Sequence, residues 1–154
     1  MLDTPRITQT EAQHAATVRL TIPRAEIQRE MGRALEEVMA AIEAQGIAPA
    51  GPFFSHHLKM DPEVFDFEVG VPVAEPVSAA GRVRASALPG ARVAQAVYQG
   101  PYEGLGAAWG AFTQWIEAEG HQRGPNLWER YVQGPESSPD PATWRTELNC
   151  PVVG

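Results

Sequence analysis

Apolar and polar residues alternate from Thr17 to Ile22, with Val18, Leu20 and Ile22 on one side, which predicts a half-buried strand. Pro23 follows and suits a first helical turn. The period then changes: Ile27, Met31, Leu35, Val38 and Ile42 recur every three or four residues, one apolar stripe of a helix over about 24–45. Gly46 stands where a helix C-terminal glycine belongs. Two further strands are predicted over 53–60 and 64–71, with an Asp61-Pro62 turn between them. In the second, Phe65, Phe67, Val69 and Val71 share one face and Asp66 and Glu68 the other. The segment 72–81 reads as a connection.

After it the pattern restarts. Strand-like runs over 82–87 and 91–98 flank Pro89-Gly90, and Gly100-Pro101 leads into a second helix over about 105–119, striped by Leu105, Trp109, Phe112 and Ile116 and ended by Gly120. Strands over 127–133 and 143–150 follow, joined by a long turn over 134–141. The halves echo each other. Glu43-Ala44-Gln45-Gly46 returns 74 positions later as Glu117-Ala118-Glu119-Gly120, Gly51-Pro52 returns as Gly124-Pro125, and Phe67-Glu68-Val69 before Pro72-Val73 returns as Thr146-Glu147-Leu148 before Pro151-Val152. The expectation is a single α+β domain over 1–154, built from a duplicated strand-helix-strand-strand repeat (about 5–75 and 82–153). Its curved antiparallel sheet would carry both helices on the convex face and leave a ligand groove between the repeats.

Composition narrows the functional classes. With 12 Lys+Arg against 19 Asp+Glu, the net charge of −7 weighs against a general nucleic-acid binder, which needs basic surface to displace counterions. The repeats fill the chain and leave no room for a helix-turn-helix module, so direct DNA binding is not expected. One cysteine, Cys150, excludes an internal disulfide and a cysteine-only zinc site, and reads as a small core residue. His56 and His57 are adjacent in a strand and point to opposite faces, so they do not share a metal; no metal and no cofactor are expected. No apolar run is long enough to span a bilayer and the N-terminus lacks a signal pattern, so a cytoplasmic protein without membrane contact is expected. The sequence leaves oligomeric state open.

The residues carry a family resemblance. Gly51-Pro52-Phe53-Phe54, Met60-Asp61-Pro62 and Phe65-Asp66-Phe67-Glu68-Val69-Gly70-Val71-Pro72-Val73 resemble the first half of GyrI-like small-molecule-binding domains, the effector-binding domains also appended to AraC- and MerR-type regulators. Tyr98-Gln99-Gly100-Pro101-Tyr102-Glu103-Gly104-Leu105, Glu129-Arg130-Tyr131 and Thr146-Glu147-Leu148-Asn149-Cys150-Pro151-Val152 resemble the second half. The resemblance implies the duplicated fold, a groove for hydrophobic, cationic or polyaromatic compounds, aromatic walls, and a groove glutamate that maps onto Glu147. It also implies that some stand-alone relatives are hydrolases of cyclopropane-containing compounds, using a glutamate and a tyrosine, and that others bind gyrase. His57 stands where the first repeat often has tyrosine.

Several side chains are therefore candidates. Glu147 is the expected anchor for a cation, or the acid–base group of an enzyme with Tyr131. Tyr131 is expected to stand across from the last strand, near Glu147. Trp128 and Trp144, taken as strand residues beside the groove, and Tyr98 and Tyr102 at its rim, would supply ring faces worth about 0.5–2 kcal/mol each to a cation. Trp115 lies beside the helix stripe and fits either a wall or the core, whereas Trp109 fits the core. Glu68 is the repeat mate of Glu147 and shares its face with Asp66. The first function expected is sensing or sequestration of small hydrophobic or cationic compounds. The alternatives are a hydrolase of reactive cyclopropane-containing compounds and an acidic protein-interaction module such as a gyrase inhibitor.

Overall fold

The computed structural model describes residues 2–60, 64–124, 126–134 and 138–153. In chain order the elements are β1 (Arg6–Gln9), β2 (Gln13–Pro23), α1 (Ile27–Ala44), β3 (Phe54–Met60), β4 (Val64–Pro72), β5 (Val83–Leu88), β6 (Arg92–Gln99), α2 (Leu105–Ala118), β7 (Gln122–Arg123), β8 (Leu127–Gln133) and β9 (Arg145–Val153). The fold is α+β, and within each compact unit the described ladders are antiparallel. The periodicity reading finds both helices and seven of these strands. The short β1 and β7 were not expected, because two to four residues give no measurable period. The Asp61-Pro62 turn, Pro125 of the Gly-Pro echo, and 135–137 of the long turn lie outside the described residues.

The chain divides into two compact units, 11–90 and 1–10 with 91–154. In the first unit β2 lies between β4 and β5, and β4 continues to β3. In the second unit β6 lies between β9 and β1, and β9 continues to β8, with β7 against the far end of β9. Each unit thus has a ladder of four strands in the same order, one of them supplied from beyond the strand-helix-strand-strand run. The strand over 83–88 pairs with β2, and the strand over 6–9 pairs with β6.

Each helix is closed by glycine chemistry. Gly46 and Gly120 take φ of 69° and 81°, and the following N–H groups, of Ile47 and His121, reach back to the carbonyls of Ile42 and Ile116 at 2.9 and 3.0 Å. Only glycine adopts this left-handed turn without a steric penalty. The cores differ in how they fill space. In the first unit Ala34, Val38 and Ile42 of α1 pack on Val18, Leu20, Phe67, Val69 and Val71. In the second the sheet offers smaller Ala94, Ala96, Leu148 and Cys150, and α2 answers with larger Phe112, Ile116, Trp109 and Trp115. Close packing requires that exchange of volume between layers. Each fully buried Val, Leu or Phe contributes about 1.5–3 kcal/mol. No described helix is long and apolar enough to cross a membrane.

Candidate functional site

The alternation of β8 decides the chemistry. Trp128 and Arg130 point one way and Glu129 and Tyr131 the other, up to the register shift that follows Tyr131. Ladder register extends these faces: Glu129 stands opposite Leu148 and Tyr131 opposite Thr146, while Arg130 stands opposite Glu147 and Trp128 opposite Asn149. Leu148 packs against α2 with Phe112 and Ile116. The Glu129–Tyr131 face is therefore the helix side, and Glu147 lies on the other.

On the helix side Glu129 is 8% exposed, and both its carboxylate oxygens accept hydrogen bonds. The Trp109 indole N–H donates to Oε2 at 2.7 Å and the Tyr131 hydroxyl to Oε1 at 2.9 Å. A carboxylate taken out of water is tolerated as an anion where donors replace its hydration. Half-buried rings continue from it. Tyr131 meets Tyr102 edge-on at 5.9 Å, and Tyr102 leans on Trp144 at 4.8 Å. Trp144 is fixed by its indole N–H to the Ser138 carbonyl at 2.9 Å and by its own carbonyl, which accepts from Gly100 N–H at 2.9 Å.

Tyr98 supports the turn that carries Tyr102. Its hydroxyl donates to the Pro101 carbonyl at 2.8 Å, and the ring is buried. The turn closes so tightly that a Cβ on Gly104 would sit 2.0 Å from the Tyr98 hydroxyl oxygen, and Gly100 holds a φ of 146°. Tyr98 is thus a strut beneath the patch. Thr146, opposite Tyr131, is fully buried, and its hydroxyl has no hydrogen-bond partner among the described residues.

The opposite face is built differently. Glu147 accepts from Arg130 Nη1 at 3.1 Å, from Asn149 at 3.0 Å and from Gln95 at 3.3 Å. Arg6 in turn donates to Gln95. The glutamate is matched by a guanidinium and two amides, and Trp128 is buried on that same face. Tyr131 does not stand near Glu147 as expected: strand alternation turns it away and puts Arg130 in that place. Trp144 is not on the last strand either; it caps the helical turn Pro141–Thr143, one residue before β9.

The other candidates lie elsewhere. Trp115 is half buried on α2, its ring 6.4 Å from His121. Glu68 belongs to the first unit, where it accepts from Thr17 and Ser86, both at 3.0 Å; its neighbour Asp66 binds Arg19 at 2.7 Å. Asp66 and Glu68 thus accept hydrogen bonds from different side chains. An open cavity of about 550 Å³ in the second unit is lined by Leu2, Asp3, Val97, Gln99, Ala142 and Arg145, and none of the candidates borders it.

Tyr131, Tyr102, Trp144 and Tyr98 are brought together; Glu147, Trp128, Glu68 and Trp115 are not part of that cluster. Glu129 and Trp109 also belong to it; Trp109 was expected in the core, where it does pack, and Glu129 was read only as part of the Glu129-Arg130-Tyr131 run. The signal for Glu129 was present in the alternation of Leu127, Glu129 and Tyr131. What the pattern lacked was any sign of which face the helix covers.

The cluster thus sets a buried acid beside half-buried aromatic rings on an antiparallel α+β frame. The chain belongs to the GyrI-like small molecule binding domain family, whose model matches residues 3–153. No curated protein matches the sequence. Among solved structures, the EcmrR C-terminal domain is 21% identical with a TM-score of 0.82, and 97% of each chain is covered. EcmrR in its complex with DNA gives 19% identity and a TM-score of 0.86; 97% of this chain is matched, but it spans only 57% of that one. SAV2435 bound to tetraphenylphosphonium gives 12% identity and a TM-score of 0.71, covering 99% of this chain and 95% of the other. At these identities the likeness is one of fold.

Proposed function

We propose that this domain binds lipophilic cations and planar aromatic compounds on the helix side of the second unit, in a sensing or sequestering role. The observation that carries the reading is the Glu129 carboxylate, 8% exposed and accepting from Trp109 and Tyr131, next to the half-buried rings of Tyr131, Tyr102 and Trp144. Ring faces attract a delocalised cation, and the buried acid supplies the charge. In this reading Glu129 takes the anchoring part expected of Glu147, whose charge is balanced by Arg130. The fold likeness to SAV2435, which was solved with tetraphenylphosphonium, supports that compound as the first probe. The test is a calorimetric titration with tetraphenylphosphonium. Glu129→Gln is expected to weaken binding tenfold or more while leaving the fold intact. Undiminished affinity in that variant would remove Glu129 from the site.

Hydrolysis is a second reading, favoured by the Tyr131–Glu129 hydrogen bond of 2.9 Å. A carboxylate and a phenol in contact are a base and an acid, suited to activating water and protonating a leaving group. Chemical recovery of the bound compound separates the two: a binder returns it unchanged. The matching strand order of the units also supports the reading of the chain as a duplication.

A further inference from the structure

Trp109 falls on the apolar stripe of α2, and its ring lies 5.5 Å from that of Phe112, as core packing requires. Its indole N–H nevertheless ends on a carboxylate, Glu129 Oε2, at 2.7 Å. Trp109 and Tyr131 are not equivalent as donors to Glu129. A phenol hydroxyl both donates and accepts, so Tyr131 can rotate to accept a hydrogen bond from a protonated carboxyl and satisfies either charge state. An indole N–H only donates. It favours the carboxylate and opposes a proton on the oxygen it faces.

We propose that Trp109 is the positioning residue that holds Glu129 as a fixed, ionised carboxylate, and that it thereby sets the preference of this patch for cations over uncharged aromatics of similar size. The inference rests on the reading of Glu129 as the anchor. The surroundings are consistent with it. Leu148 stands opposite Glu129 in the ladder, and the hydroxyl of buried Thr146 is on the same face. The titratable Tyr131 also donates to Glu129. Of the charged residues on neighbouring elements, Glu117 of α2 pairs with Arg123, Glu103 before α2 is exposed, and Glu147 and Arg130 face the other way and pair with each other. Arg145 of β9 is exposed and shares the register face of Glu147.

The experiment is calorimetric titration of the full chain with tetraphenylphosphonium and with uncharged triphenylphosphine oxide, from pH 5 to pH 8. The wild type is expected to prefer the cation at least tenfold, with little change across that range. Trp109→Phe is expected to bind the cation within about threefold of wild type at pH 8 and to lose tenfold or more by pH 5, while the uncharged compound is unaffected by pH. Replacing Trp109 by 3-benzothienylalanine keeps the ring shape and removes only the N–H; it should give the same acid-sensitive profile even if the phenylalanine variant folds poorly. A loss of both ligands by the same factor at every pH, or a flat cation profile in the benzothienyl variant, would overturn the inference in favour of simple packing. Glu129→Gln separates the two levels. If it keeps the full cation preference, the anchor reading itself fails. If it loses the preference while the Trp109 variants behave as wild type, only the role of Trp109 falls.

Discussion

β3 of the first unit and β8 of the second occupy the same place, each at the end of its ladder beside β4 or β9, yet they carry opposite chemistry. Ser55 and His57 stand opposite Val69 and Phe67; Glu129 and Tyr131 stand opposite Leu148 and Thr146. Both pairs are two residues apart, share a face and touch, with Ser55 Oγ 3.3 Å from His57 Nε2. The difference lies in what surrounds them. His57 stacks on Phe67 at 5.1 Å and meets Phe65 edge-on at 5.6 Å, and its Nδ1 is buried with no hydrogen-bond partner among the described residues. Burial, aided by the neighbouring His56, pushes His57 down to about 4. The first unit has turned the position into core, where only a neutral ring is tolerated. The second supplies an indole donor and a phenol, and so tolerates an acid. A strand position acquires a charge only where the opposing layer supplies donors for it.

The largest expected effect comes from forcing the second unit's chemistry onto the first. Ser55→Glu would place a carboxylate at a fully buried position beside His57 and the Phe65–Phe67 pair, and is expected to cost about 3–5 kcal/mol. Urea unfolding measures it; a cost below about 1 kcal/mol would show that the two positions are interchangeable and that the donors of the second unit are not what permits Glu129.

A smaller effect follows from His57. The unfolded chain takes up a proton near pH 6.5, which the folded ring refuses until about 4. Stability attributable to this residue is therefore fully present above about 6.5 and is lost as pH falls through 4, by up to about 3 kcal/mol. His57→Phe should remove that share of the acid slope, read from unfolding curves between pH 7 and pH 4. An unchanged slope would place the titrating group elsewhere.

The smallest effect is expected at Glu147. Glu147→Gln breaks the ion pair with Arg130, whose side chain is 28% exposed against 14% for the glutamate, and should cost about 1–2 kcal/mol of stability. Tetraphenylphosphonium affinity should change by less than about threefold. A tenfold loss of affinity would return the anchor to the face opposite α2 and undo the contrast drawn between Glu129 and Glu147.

Much of the fold was legible from residue order. The stripe Ile27–Met31–Leu35–Val38–Ile42 foretold α1, and the run Phe65–Phe67–Val69–Val71 foretold a strand with one apolar face, because period and burial are linked by geometry. Tyr131, Tyr102 and Trp144 were picked out from their residue types and family pattern, and they do cluster. Glu147 attracted attention for the same reasons, but its partners Arg130, Gln95 and Asn149 are scattered over three strands, and no local pattern reveals that they meet.

Sequence sufficed for the helices and longer strands, the glycine stops, the family and the acidic, aromatic character of the chain, because each is written in neighbouring residues. Which edge strand joins which unit, which side of β8 the helix covers, and hence which glutamate lies beneath the rings, came from packing alone. Alternation sorts a strand into two faces without naming either one. Only the layer that lands on a face decides whether an acid there meets a guanidinium or an indole and a phenol.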